Sequence, residues 1–150
     1  RIAFDVGKAR IGVAVSDFHA ILATPAEHIA RKSDEQAISE MLRVVADTEA
    51  VEIYVGLPVN LKNESTASTK DAVDIAQSLA ALTETPIYLI DERMTTSVAR
   101  QALTAAGKSS KTQRAYIDSA AAAVILEVAL EAERTSGVVT AQLAKDYPNA

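Results

Sequence analysis

The sequence predicts an α/β fold: a mixed five-stranded sheet, three antiparallel meander strands plus two parallel strands, flanked by helices. Three observations point to it. Three short β-rich segments open the chain and are joined by links too short to hold a helix, which is the pattern of a meander. Two more β-branched runs follow, separated by helical patterns, which gives a mixed sheet with helices laid over it. The chain has 150 residues, 49% of them hydrophobic and 23% charged. That is one domain, 1–150, with enough apolar surface for a core and no need of a covalent staple.

Arg1–Val6 is short and apolar and stops at Gly7; Ile11–Ser16 is β-rich again, so the two read as a hairpin. A third strand is expected around Ile21–Ala26, ended by Pro25 or just past it. Ser33 caps a helix, with Asp34 and Glu35 in its first turn and Ile38, Met41, Leu42 and Val45 as its apolar stripe. Val51–Leu57 is a β-branched run closed by Pro58, and 59–66 reads as a polar loop. Asp71–Leu82 is helical, and Ile87–Ile90 is a strand that runs into Asp91, Glu92 and Arg93. Thr95–Ala106 is a helix ended by Gly107, 107–113 a polar loop expected to be mobile, and Ile117–Glu133 a long alanine-rich helix. The tail from about residue 137 is weakly patterned and expected to pack loosely.

Composition excludes several chemistries. The absence of cysteine removes disulfides, thiol nucleophiles and Cys zinc sites, and two histidines cannot build a metal cage alone. No apolar run approaches the roughly 18 residues of a membrane span. The chain opens on Arg1 inside a strand, without Met or an export signal, so a few residues are expected to be missing from its start and a cytoplasmic location is the default. No G-x-S-x-G motif occurs. The glycines of Gly7–Gly12 have phosphate-loop spacing, but Val13 stands where a lysine is required and the segment links two strands.

The net charge of −5 argues against a general polyanion binder, yet its distribution is uneven. From Arg93 to Ile117 there are five basic residues, Arg93, Arg100, Lys108, Lys111 and Arg114, and no acidic one, so the rest of the chain carries a net −10. Such a block is a local field suited to a phosphate backbone, or else a solvated surface. Three carboxylate positions stand beside core residues: Asp5 inside the first strand, Asp91 and Glu92 at the end of the fifth, and Asp118 in the first turn of the last helix. A lone Asp118 or Asp91 has an ordinary reading, as a helix N-terminal acid or a turn residue. Asp5, in mid-strand, has none. Burying charge is costly unless compensated, and Mg²⁺ or Mn²⁺ compensates carboxylates without Cys or His. Pairs of such ions about 4 Å apart serve phosphodiester hydrolysis.

Four stretches carry a family resemblance. Asp5–Asp17 (DVGKARIGVAVSD) resembles the opening of the YqgF family, also called RuvX, of RuvC-like Holliday junction resolvases. Val55–Pro58, Asp91–Ser97 and Ile117–Ala122 resemble its three further signatures, in order, and the match runs from Arg1 to about Leu130. The resemblance implies a ribonuclease H-like fold and a metal-dependent nuclease, with Asp5, Asp91 or Glu92, and Asp118 holding Mg²⁺ or Mn²⁺. It implies a role in maturing the 5′ end of pre-16S ribosomal RNA or, on an older assignment, in cutting four-way DNA junctions. Junction resolvases end their fourth strand with an acid and carry another one turn before the helix acid. Here those places hold Gly56-Leu57-Pro58 and Ala115, so the second role passes to Asp91 or Glu92.

The neighbouring residues suit a phosphodiester substrate: Lys8 and Arg10 after Asp5, Arg93 after the second acid, Lys108, Lys111 and Arg114 before the third, and Thr95 and Thr96 as hydroxyl donors. Aromatic content of 4% argues for backbone and shape readout over base stacking. The expected partner is precursor rRNA or branched DNA, with the protein a monomer or homodimer. Competing readings are a junction resolvase, which needs a symmetric dimer, one lobe of an actin-like ATPase, and a nucleic-acid-binding factor without catalysis.

Overall fold

A computed structural model describes residues 1–58, 65–92, 119–136 and 142–148. Its strands are β1 (Ile2–Val6), β2 (Arg10–Ser16), β3 (Ala23–Ala30), β4 (Ile53–Leu57), β5 (Ile87–Asp91) and β6 (Gln142–Leu143), and its helices α1 (Asp34–Thr48), α2 (Ala67–Ala80) and α3 (Ala120–Ser136). The strands form one sheet in the order β3-β2-β1-β4-β5-β6. β1, β2 and β3 are the antiparallel meander, and β4 and β5 lie parallel to β1. The sheet therefore has six strands, not five. The added strand, β6, pairs antiparallel with β5 through only two residues, too few to leave a periodic signal in the sequence.

Side-chain alternation divides the core. Ile2, Phe4, Val55 and Leu89 face α1 and α2, where they meet Met41, Val45 and Leu79. Ala3, Ala14, Tyr54 and Ile90 face α3, where they meet Ala123, Leu126 and Leu130. The floor beneath α3 is rich in alanine, which lets the helix lie close. Tyr54 and Tyr88 stack there, ring centroids 5.9 Å apart.

Local chemistry explains the boundaries. Ser33 caps α1 by accepting from the Gln36 N–H at 3.2 Å, as the sequence predicts. α2 starts four residues earlier than expected because Thr66 and Thr69 cap it reciprocally, without the Glu or Gln that would have signalled it. The Thr69 hydroxyl also donates to the Pro58 carbonyl. β3 continues through Pro25 to Ala30: it is an edge strand, where a missing N–H is tolerated, and a register irregularity opposite Ile11–Val13 accommodates an extra residue. In the described part of the tail, 142–148, Ala144 is fully buried and the Gln77 side chain donates to the carbonyls of Ala144 and Tyr147, both at 3.1 Å, so this part is packed against α2. The helix expected at Thr95–Ala106, the loop 107–113 and the start of the last helix at 117–118 lie outside the described residues. Among the described residues, no helix is long and apolar enough to cross a membrane.

One polar knot ties the β1–β2 turn to both helices of the first face. Arg31, just past β3, makes a bidentate pair with Asp71 of α2 (2.7 Å twice) and bonds Asp34 of α1 at 2.8 Å and the Gly7 carbonyl at 2.9 Å. Its side chain is only 9% exposed. The Arg31 guanidinium holds the Asp71 carboxyl below the usual carboxylate range, with Lys8 adding to the effect.

Arg31→Ala strands Asp71 and the Gly7 carbonyl and should lower the unfolding free energy by about 2–3 kcal/mol in urea titrations. Because the folded-state pKa of Asp71 is depressed, its contribution is complete above the ordinary carboxylate range and is lost as pH falls through the folded value. The stability gap between the wild type and Asp71→Asn should therefore be widest at neutral pH and begin to narrow only below about pH 4.

Candidate metal centre at the carboxyl end of the sheet

The three parallel strands β1, β4 and β5 end at one edge, the end at which open α/β sheets bind their ligands. Asp5 is the fourth residue of β1 and is half-buried. It alternates with Phe4 and Val6, so it shares the α3 face with Ala3, and it lies opposite Gly12 on β2. On its other side the register pairs Phe4 with Val55, and one residue further on each strand stand Asp5 and Gly56. Asp5 is thus placed between two strands that each offer a glycine.

The sequence left Asp91 and Glu92 as equivalent candidates, and the fold separates them. Asp91 pairs with Leu57, whose side chain packs in the cluster under α1 and α2, and alternates with Ile90 of the α3 face. Asp91 therefore belongs to the face opposite Asp5. Glu92, one residue beyond β5, turns its carboxylate over Gly56: a Cβ on Gly56 would lie 2.7 Å from Glu92 Oε1 and 2.5 Å from Ile125 Cδ1 of α3. The vacancy of a glycine is what admits the Glu92 carboxylate between β4 and α3, on the face that carries Asp5.

α3 is fixed over this edge by a second device. The Val13 N–H, at the β2–β3 irregularity, donates to the Ser119 Oγ at 3.0 Å, and Ser119 is fully buried. Ser119 is the first described residue after Asp118, which itself lies outside the described residues. So do Arg93, Thr95, Thr96, Lys108, Lys111 and Arg114. Lys8 and Arg10 are exposed in the β1–β2 turn, where the Gly7 N–H donates to the Arg10 carbonyl at 3.0 Å; a Cβ on Gly7 would lie 2.8 Å from that oxygen.

Among the described residues no three metal-ligating side chains cluster. The donor set nevertheless fits a hard cation: Mg²⁺ is commonly held by one or two carboxylates and completes its shell with water and substrate phosphate. Gly12, Gly56 and Ser119 were not among the residues the sequence singled out as a site. A glycine inside a β-branched run was the available signal, since it marks a bulge or a close approach.

A three-stranded meander continued by parallel strands, with an acid in mid-β1 and a helix over that face, is the ribonuclease H-like architecture. Solved structures that share it include two of RuvC. The structure of RuvC from Thermus thermophilus matches with a TM-score of 0.57 at 15% identity, covering 95% of this chain and 99% of that one. RuvC of T. thermophilus in complex with a Holliday junction substrate matches at 0.58 and 14% identity, covering 95% and 98%. In sequence, the RuvX family, described as Holliday junction resolvase, matches residues 1–132, and the chain belongs to that family. Relatives from Clavibacter michiganensis subsp. michiganensis and Leifsonia xyli subsp. xyli are each 46% identical to it, over 91% of this chain and 86% and 88% of theirs. One from Mycobacterium ulcerans is 46% identical over 90% of this chain and 80% of its own. All three carry the description "Putative pre-16S rRNA nuclease".

Gly56→Ala should lower stability by about 1–3 kcal/mol, because the new methyl meets both Ile125 and Glu92. Adding Ile125→Val deletes the clashing Cδ1, so thermal melts of the double variant should recover part of the loss. The Glu92 carboxylate remains displaced, and any function that depends on it should stay impaired.

Proposed function

We propose that the chain is a metal-dependent endonuclease that hydrolyses phosphodiester bonds in the 5′-end processing of pre-16S ribosomal RNA. One observation carries this: the Asp5 and Glu92 carboxylates share a face at the carboxyl end of the sheet, with Glu92 seated in the space that Gly56 leaves. Membership of the RuvX family and the description of the relatives support the choice of reaction and substrate. A cytoplasmic location agrees with a ribosomal RNA substrate.

In this reading Asp5 and Glu92, joined by Asp118, hold Mg²⁺ or Mn²⁺. When bound, the ion supplies activation of water and neutralises charge on the reacting phosphoryl group. The chain's own residues do the rest. β1 and the β5 end hold two carboxylates on rigid backbone, so little reorganisation is needed when substrate arrives. Lys8 and Arg10 draw the phosphate chain towards the turn next to Asp5. Arg93, or Lys108 or Lys111, steadies the charge that develops on the phosphoryl oxygens, and Thr95 and Thr96 donate hydroxyl hydrogen bonds. Asp91, on the other face, is outside the metal set. The RuvC-like fold and the family's description support a second reading, a dimeric resolvase of four-way DNA.

The test is cleavage of labelled pre-16S rRNA and four-way junction DNA side by side, with Mn²⁺ and with EDTA. Cleavage of the RNA that EDTA abolishes is expected; cutting of the junction alone by a dimer establishes the second reading. Asp5→Asn and Glu92→Gln should each lower the cleavage rate on the order of 10²-fold or more with the fold intact, whereas Asp91→Asn should retain most activity. Millimolar Mn²⁺ should raise the melting temperature of the wild type, and less so that of Asp118→Asn. Replacing Lys108, Lys111 and Arg114 together by Ala should weaken RNA binding and flatten its salt dependence, because fewer counterions are released. An unchanged salt slope assigns the phosphate contacts to Lys8, Arg10 and Arg93 instead.

A further inference from the structure

The large apolar side chains that the described residues leave in water are not scattered. Phe18 is 96% exposed, Ile21 65%, Leu22 63%, Val51 64% and Leu82 62%. Phe18, Ile21 and Leu22 lie in the β2–β3 loop, Val51 in the α1–β4 connection and Leu82 in the α2–β5 connection. β2 is antiparallel to β1, and β4 and β5 are parallel to it. All five residues therefore lie at the end of the sheet opposite Asp5 and Glu92. Single exposed apolar residues need no explanation, but their collection at one pole does.

The β2–β3 loop is built to hold its apolar residues outward. The Asp17 carboxylate accepts from the N–H groups of His19 at 3.2 Å, Ile21 at 2.8 Å and Leu22 at 2.7 Å, which lowers its pKa. Ala20 adopts a left-handed φ of 57°, an uncommon conformation for a residue with a Cβ. Arg134, near the end of α3, donates to the Ile21 carbonyl at 3.2 Å. His19 packs edge-on against Phe18, ring centroids 5.3 Å apart. A loop held this way presents a preformed apolar tip, which reduces the ordering cost of docking.

Charge selects the occupant. Among the described residues at this pole, Asp17, Glu49, Glu52, Glu84 and Glu133 outnumber Arg1 and Arg134. An acidic rim repels RNA, and it repels a second copy of the same face. It suits a protein with a basic rim around an apolar pocket. We infer that the Phe18–Leu22 loop and its neighbours at this pole dock a basic RNA-packaging protein on the precursor particle while the carboxyl end of the sheet engages the RNA. This rests on the proposed action on pre-16S rRNA, a polyanion that is compacted by basic proteins. Asp5 lies four residues along β1 from Arg1, roughly 13 Å at the rise of a strand, so one nucleoprotein can reach both ends.

The experiment uses the full chain, naked precursor 16S rRNA, and a particle reconstituted from that RNA and the small-subunit ribosomal proteins. Wild type should bind the particle about tenfold more tightly than the naked RNA. Phe18→Ser combined with Leu22→Ser touches exposed side chains only. It should remove that preference and leave binding and cleavage of naked RNA unchanged. A photoreactive phenylalanine analogue at position 18 should crosslink to one identified basic protein of the particle. The inference is overturned if wild type shows no preference, if the double variant keeps it, or if the crosslink goes to RNA or to a second copy. Failure of the nuclease reading is seen separately, as no metal-dependent cleavage of naked RNA by wild type.

Discussion

The close approach of α3 to the sheet is the constraint from which the rest of the site follows. The helix rests on Ala3 and Ala14, with Ala122, Ala123 and Ala129 on its own underside. At Gly56 the gap is so narrow that a single methyl would meet both Ile125 and Glu92. A helix set this close makes a wall beside the strand ends, and a carboxylate held against that wall sheds part of its water. Such a charge is costly alone and favourable beside a cation. The packing that stabilises this half of the core thus also sets the Glu92 carboxylate at the carboxyl end of the sheet.

The other half of the core serves a different purpose. Arg31 gathers Asp71, Asp34 and the Gly7 carbonyl, so the β1–β2 turn is fixed to the first turn of α1 and the second turn of α2. That turn carries Lys8 and Arg10 and follows Asp5 directly. The knot fixes these two exposed cations beside Asp5, and Lys8 adds to the field that lowers the Asp71 pKa. Among the described residues, exposed basic side chains stand in the turn beside Asp5, and exposed acidic and apolar ones lie at the opposite pole.

Much of the fold was legible in the chain. The β1–β2 hairpin, the Ser33 cap and stripe of α1, and the parallel runs β4 and β5 rest on local signals: periodicity of two or 3.6 residues, β-branching and capping side chains. Those signals depend on neighbours a few residues apart, which the sequence displays. β3 past Pro25, the early start of α2 and the burial of Ala144 were not legible. The first and last depend on partners far along the chain, an edge position in the sheet and the side chain of Gln77; the second is local, but its threonine pair lacks the usual acid that signals a capping box.

The candidate site divides along the same line. The sequence by itself determined the residue types: an acid in mid-strand at Asp5, an acidic pair at the end of β5, and glycines at 12 and 56. It could not choose between Asp91 and Glu92, since adjacent residues look alike until a strand's alternation is tied to particular faces. Only the tertiary structure decided that Asp91 turns to the α1 and α2 face while Glu92 reaches over Gly56 beneath α3. The physical reason is that the choice is one of space: the room a glycine on β4 leaves beside Ile125 exists only when β4, β5 and α3 are packed together.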